Sequence, residues 1–222
     1  MPFPKVNNNL LNIGSGANQL IKLDDTAKLP ALDASQLVNF PAALGGGMVL
    51  LQTQVASLVA SVTFGSTYLT SAYKKYIIEL IDIVPEIDVQ TLRMIVSEDN
   101  GANYKTGGSD YEFQGAHIAS GGSLSGQGQT NQAFINITGQ GNQSGNAPGE
   151  SACASIALYN PGGTTLNKRF FINATIEDSA GTVQFYSMAA AYKGTNNPIN
   201  NIKFSFSAGN IATGIFKLYG IQ

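Results

Sequence analysis

Residues 203–221 constrain this chain more than any other stretch. Phe204 and Phe206 alternate with polar neighbours, and Phe216 and Leu218 share one parity while Ile215 and Lys217 share the other. Period-two alternation is what a strand with one buried face requires. Between the two runs, Ala208, Gly209 and Asn210 supply backbone that tolerates positive φ. The pattern predicts a hairpin, with the sequence finishing on a structural strand.

Upstream, the same logic predicts an all-β body. Residues 48–58 alternate weakly and 59–64 continue them. The run from Tyr73 to Val84 is apolar on both faces, as a central, covered strand would be, and Pro85 ends it. Leu92, Met94 and Val96 share one face of the next strand, and Glu98-Asp99-Asn100-Gly101 reads as a hairpin turn. A return is expected from Tyr104 and Lys105 through Tyr111 and Phe113. Residues 119–150 are rich in Gly, Ser, Gln and Asn and read as a long loop, interrupted by one strand at 133–138. Strands then follow at 152–159, 169–177 and 183–193, punctuated by turns at Asn160-Pro161-Gly162-Gly163 and Asp178-Ser179-Ala180-Gly181. Nine to eleven strands at this spacing predict a β-sandwich, with jelly-roll-like order the natural arrangement.

Residues 1–40 do not share this pattern. Leu20, Leu23, Leu29, Leu32 and Leu37 are irregularly spaced around Pro30, so no helix of useful length is expected. The segment cannot build a core alone and is expected to be an extended arm that orders against a partner. Residues 41–47, with Gly45-Gly46-Gly47, form the hinge, and 48–222 the β-sandwich domain.

Two ends and a middle carry a resemblance. The ending from Ala208 to Ile221 looks like the terminal hairpin of small phage fibre and decoration proteins with a jelly-roll-like tip. Gly16-Ala17-Asn18-Gln19-Leu20 and Lys28-Leu29-Pro30-Ala31-Leu32-Asp33 are similar to strings near the mounting ends of phage fibre proteins, although Asp25-Thr26-Ala27 departs from the usual Gly-containing turn. The order Tyr73 to Pro85, Leu92-Arg93-Met94, Glu98 to Gly101, Tyr104 resembles the body of the same group. The resemblance implies a homotrimeric virion part, with Leu20, Leu23, Leu29, Pro30, Leu32 and Leu37 anchoring it to other virion proteins.

Composition agrees with packing of protein on protein. Charged residues make up 12% of the chain, against about 25% in an ordinary soluble domain. Net charge is −2 and basic residues are scattered, so no nucleic-acid partner is expected. No apolar run is long enough for a membrane span, and Met1 to Val6 does not resemble a signal peptide, so synthesis in the host cytoplasm is expected.

Little in the sequence suggests chemistry. His117 is the single histidine and lies in no nucleophile motif. With one histidine and one cysteine, no ordinary zinc site is expected, and no cofactor. Cys153 reads as a buried, inert strand residue, with an interchain bridge left open. The carboxylates Asp82, Glu86, Asp88, Asp110, Glu112, Glu150, Glu177 and Asp178 show no glycosidase-like pairing. Glu98, Asp99, Asn100 and Asp110 could offer oxygens to calcium, but a plain turn fits better. Tyr104, Tyr111 and Phe113, with Asn131 and Gln132, are candidate glycan contacts, since sugars take an apolar ring face plus orienting hydrogen bonds. The other reading of those aromatics is core or trimer packing. The expected function is a non-enzymatic fibre or spike that attaches to a host-surface glycan. The alternative is a capsid decoration protein or head fibre.

Overall fold

A computed structural model describes residues 47–139 and 143–221, all within one compact unit. Twelve strands run in chain order: β1 (Met48–Val59), β2 (Val62–Phe64), β3 (Lys75–Pro85), β4 (Leu92–Ser97), β5 (Tyr111–Ile118), β6 (Leu124–Gln132), β7 (Ile135–Asn136), β8 (Ala152–Tyr159), β9 (Lys168–Glu177), β10 (Val183–Tyr192), β11 (Asn201–Phe206) and β12 (Ile211–Ile221). Among the described residues the only helical element is a 3-10 turn at Ser120–Gly122, and no helix is long and apolar enough to cross a membrane.

The strands form two antiparallel sheets, the all-β sandwich that the alternation predicts. One has the order β1-β12-β3-β8-β9-β10-β5-β6 and the other β2-β11-β4-β7. Setting aside the hairpins β5-β6 and β9-β10 leaves eight strands, of which consecutive ones lie in opposite layers except for the fourth and fifth, β4 and β7, which pair in the smaller sheet. Their orders are first-eighth-third-sixth and second-seventh-fourth-fifth, which is jelly-roll connectivity. The two extra hairpins extend the larger sheet beyond β8.

Alternation places the core. In β9 every second residue from Lys168 to Ile176 is buried, and in β4 Leu92, Met94 and Val96 are fully so. The layers meet through aromatic rings. Phe204 of β11 packs on Phe64 of β2 at 6.4 Å and on Phe216 of β12, in the other sheet, at 5.7 Å. Burying each such side chain contributes about 1.5–3 kcal/mol.

A hydroxyl also joins the layers. Tyr111 of β5 is fully buried, and its phenolic oxygen accepts the Val96 N–H of β4 at 2.9 Å and donates to the Lys105 carbonyl at 3.0 Å. The Lys105 N–H returns to the Val96 carbonyl at 2.9 Å. Since β7 pairs only with Arg93 and Met94, this ring of bonds satisfies β4 where β7 ends.

Three expectations need correction. The runs at 201–206 and 211–221 are both strands but not a hairpin, because β11 lies in the four-stranded sheet and β12 in the eight-stranded one. The link between them arches from layer to layer. Gly209 sits at φ +69° beneath Ile87, and Glu86 clamps the arch through Asn210, its backbone N–H donating to the Asn210 carbonyl and its carboxylate accepting the Asn210 N–H. Secondly, the polar stretch after Ala119 is not one loop. Its residues 124–132 form β6, an edge strand held by β5, while the strand expected at 133–138 shrinks to Ile135–Asn136. Thirdly, Tyr104 and Lys105 form no strand. Tyr104 makes a single bridge to Ser97, and the return strand starts at Tyr111. The anchoring residues Leu20, Leu23, Leu29, Pro30, Leu32 and Leu37 lie outside the described residues.

Candidate functional site

A groove of about 510 Å³ lies on the outer face of the eight-stranded sheet. Its floor follows from register. Arg169, Ala191 and Glu112 stand in one cross-strand row over β9, β10 and β5, and Phe171, Ala189 and Gln114 stand in the next. The two alanines on the middle strand are too small to fill the space between larger neighbours. This leaves a trough along β10 with walls two strand spacings, roughly 10 Å, apart. Tyr159 of β8, beside Arg169, and Leu166 of the β8–β9 loop extend the β9 wall. Phe171 and Tyr159 are each 44% exposed.

The charges around the groove are unequal. On the β5 wall Glu112 pairs with Lys193 at 2.9 Å. On the β9 wall Arg169 is exposed, and among the described residues it has no ion-pair partner. At the groove's end, buried Lys168 donates to the carbonyls of Leu166 (3.0 Å) and Asn196 (2.9 Å). Burial lowers its pKa, the nearby Glu98 charge opposing. These bonds tie the β8–β9 loop, and so Leu166, to the segment after β10.

Glu98 organises the same end of the sandwich. It accepts hydrogen bonds from Tyr192 (2.8 Å) and Thr195 and forms an ion pair with Lys105 at 2.9 Å. Burial alone would raise its pKa, but the bonds from Lys105, Thr195, Tyr192 and Asn197 outweigh burial and hold it at about 2. Asp99 accepts from Ser97 and from the backbone and side chain of Asn103. That is the hydrogen-bonding pattern of a closed turn.

The structure does not bring the candidate glycan contacts together. Tyr111 and Phe113 are core residues, 0% and 1% exposed, and present no ring to a ligand. Their partners in the alternation, Glu112 and Gln114, are the ones that reach the groove. The Tyr104 ring lies under Lys203 at 4.0 Å, and its hydroxyl donates to Asn201, so one face is already occupied. Asn131 and Gln132 end β6, opposite Tyr111, with the Gln132 amide turned onto the carbonyls of Thr130 and Asn131. The groove is lined instead by Phe171, Tyr159 and Arg169, which were not singled out from the sequence. Their signal was the Ala189-Ala190-Ala191 run inside a strand, read together with the register of its neighbours.

His117 is buried, stacked on Tyr186 at 4.5 Å and hydrogen-bonded to Gln184 at 2.6 Å. Cys153 is half-buried on the outer face rather than enclosed. Its sulfur accepts the Asp82 N–H at 3.3 Å, and burial pushes its pKa up. Several candidate carboxylates accept backbone amides of turns: Glu86 from Asn210, Asp110 from Gly107, Glu150 from Ala147, and Asp178 from Ala180 and Thr182. Among the described residues no group of three or more His, Cys, Asp or Glu is placed to hold a metal ion. No protein-family model matches this chain, and no curated protein matches it in sequence.

Proposed function

We propose that this chain is a virion structural protein, a short homotrimeric fibre or spike held to the particle through residues 1–40, whose β-sandwich meets a host-surface glycan. The observation that carries the self-assembly is β1. Among the described residues it is an edge strand, paired with β12 on one side only, and none of its twelve residues is charged or proline. Val55 is 72% exposed and Leu58 61%, with Met48 and Leu50 also exposed. Soluble proteins guard such edges with charge, proline or a covering element. An apolar edge of this length, uncovered among the described residues, fits burial against another copy, and the low charge of the whole chain points the same way. The virion assignment rests on the resemblance of the two ends and the body, and the jelly-roll connectivity supports it.

Light scattering on the purified full chain tests the assembly. The expected mass is about 70 kDa, three chains of 23.3 kDa, and V55K/L58K should shift it towards the monomer. A monomeric wild-type protein would overturn the proposal. Cryo-electron microscopy of virions tests the location. Density on the tail supports attachment, and density on the capsid lattice would replace it with the decoration role.

A further inference from the structure

We propose that the groove over β10 is a subsite for an acidic sugar, a pyranose bearing a carboxylate, with Arg169 on the carboxylate and Phe171 against the C–H face of the ring. This narrows the glycan attachment proposed above and rests on it for the biological source of the sugar.

Four features carry the inference. First, Phe171 is flanked in register by Ala157 on β8 and Ala189 on β10, so neither cross-strand neighbour covers its ring. An uncovered aromatic face in a trough suits the apolar side of a pyranose. Secondly, Arg169 stands two residues away on the same face of β9 without an ion-pair partner among the described residues, while Glu112 opposite is neutralised by Lys193. The groove therefore carries a net positive charge with a planar fork of donors, which matches a carboxylate in two-point contact. Thirdly, β9, β10 and β5 are interior strands, paired on both sides. Their backbone groups are engaged in the ladder, so the floor cannot recognise an extended peptide through its main chain, as a sheet edge would. A ligand must instead bring its own hydroxyls to side chains such as Gln114. Fourthly, the volume of about 510 Å³ falls within the roughly 300–1,000 Å³ range of small-ligand sites. One guanidinium beside a ring also suits a single carboxylate better than a polyphosphate, which calls for several cations.

Saturation-transfer NMR and calorimetry on the full-length protein test this, with sialyllactose and an unsulfated glucuronate disaccharide as acidic probes and lactose as the neutral control. At least one acidic probe should bind, and lactose should bind about tenfold more weakly or worse. R169Q should weaken acidic binding by about tenfold or more, R169K should fall between it and wild type, and F171A should abolish binding. Arg169 and Phe171 are surface positions, and near-ultraviolet circular dichroism checks that each variant keeps the native fold. No binding of either acidic probe at about 10 mM, equal binding of lactose, or full affinity in folded R169Q and R169K would each overturn the assignment. Failure of binding in an intact trimer would reject the subsite and leave the assembly standing. Acidic-sugar binding by a monomer would do the reverse.

Discussion

Replacing Tyr111 with phenylalanine removes one oxygen from the seam between the two sheets and almost nothing else. The ring would keep its contact with Tyr192, at a centroid distance of 5.5 Å, so no cavity opens. The loss falls on the Val96 N–H, which is buried and has the hydroxyl as its acceptor at 2.9 Å, and on the Lys105 carbonyl at 3.0 Å. Leaving a buried donor without a partner costs about 1–3 kcal/mol. Lys105 is partly exposed, and water can replace the hydroxyl at its carbonyl. Most of the penalty therefore sits at Val96, and Y111F should lose about 2 kcal/mol, a fall in Tm of roughly 4–8 °C for a domain of this size. Equilibrium unfolding in urea, followed by circular dichroism, reads it directly. Y219F, at a half-buried position on the outer face of β12, serves as the control and should stay within about 0.5 kcal/mol of wild type. A Y111F change no larger than that control would refute the bridge. Sugar binding by Y111F should match wild type, and its loss in a folded variant would restore Tyr111 as a ligand contact.

Acid should loosen the end of the sandwich built on Glu98. Its carboxyl is held at about 2, below the ordinary 4.5, so its contribution is complete above about pH 4.5 and is lost as pH falls towards 2. At most it amounts to about 3 kcal/mol, and E98Q should flatten the stability–pH profile across that window in urea titrations, whereas an unchanged slope would remove Glu98 from the account. G115A should destabilise by about 1–3 kcal/mol or prevent folding, because a Cβ there would lie 2.2 Å from the Ser187 carbonyl oxygen and 2.7 Å from the Met188 Cα, backbone atoms of β10 that cannot give way. Wild-type stability in a thermal melt of G115A would show the β5–β10 pairing to be looser than drawn. Cys153 should react slowly with a thiol reagent near pH 8 and at the full rate of a free cysteine in denaturant, and a fast native reaction would contradict its half-buried contact with Asp82.

Which parts of this architecture were legible depended on whether the information was local. Alternating runs such as Leu92, Met94 and Val96, or Phe216 and Leu218, announced strands and their buried faces because a half-covered strand must alternate. The segment Leu124–Gln132 announced nothing. As an edge strand it is specified by the backbone of β5 and needs few apolar side chains of its own. The arch at Gly209 was not legible because a Gly-Asn turn fits a hairpin as well as a crossing between layers, and the choice is made by β3 and β4, more than a hundred residues away. Tyr111 and Phe113 stood in an alternation that already pointed them inward, with Glu112 and Gln114 outward. The groove was illegible because Ala189 and Ala191 become a floor only when register sets Phe171 and Gln114 on either side of them.

The position of β12 has a consequence for how the protein is made. This last strand is inserted between β1 and β3, near the beginning of the body, with Met48 opposite Ile221 at one end of the β1 ladder. Until Ile211–Ile221 has left the ribosome, β1 has no partner and one flank of β3 stays open. Pairings of such sequence separation close slowly, since the whole intervening loop must be ordered first. The nascent chain therefore carries β1, an apolar strand without a charged residue, unpaired until Ile211–Ile221 has been made, and only then can the eight-stranded sheet close.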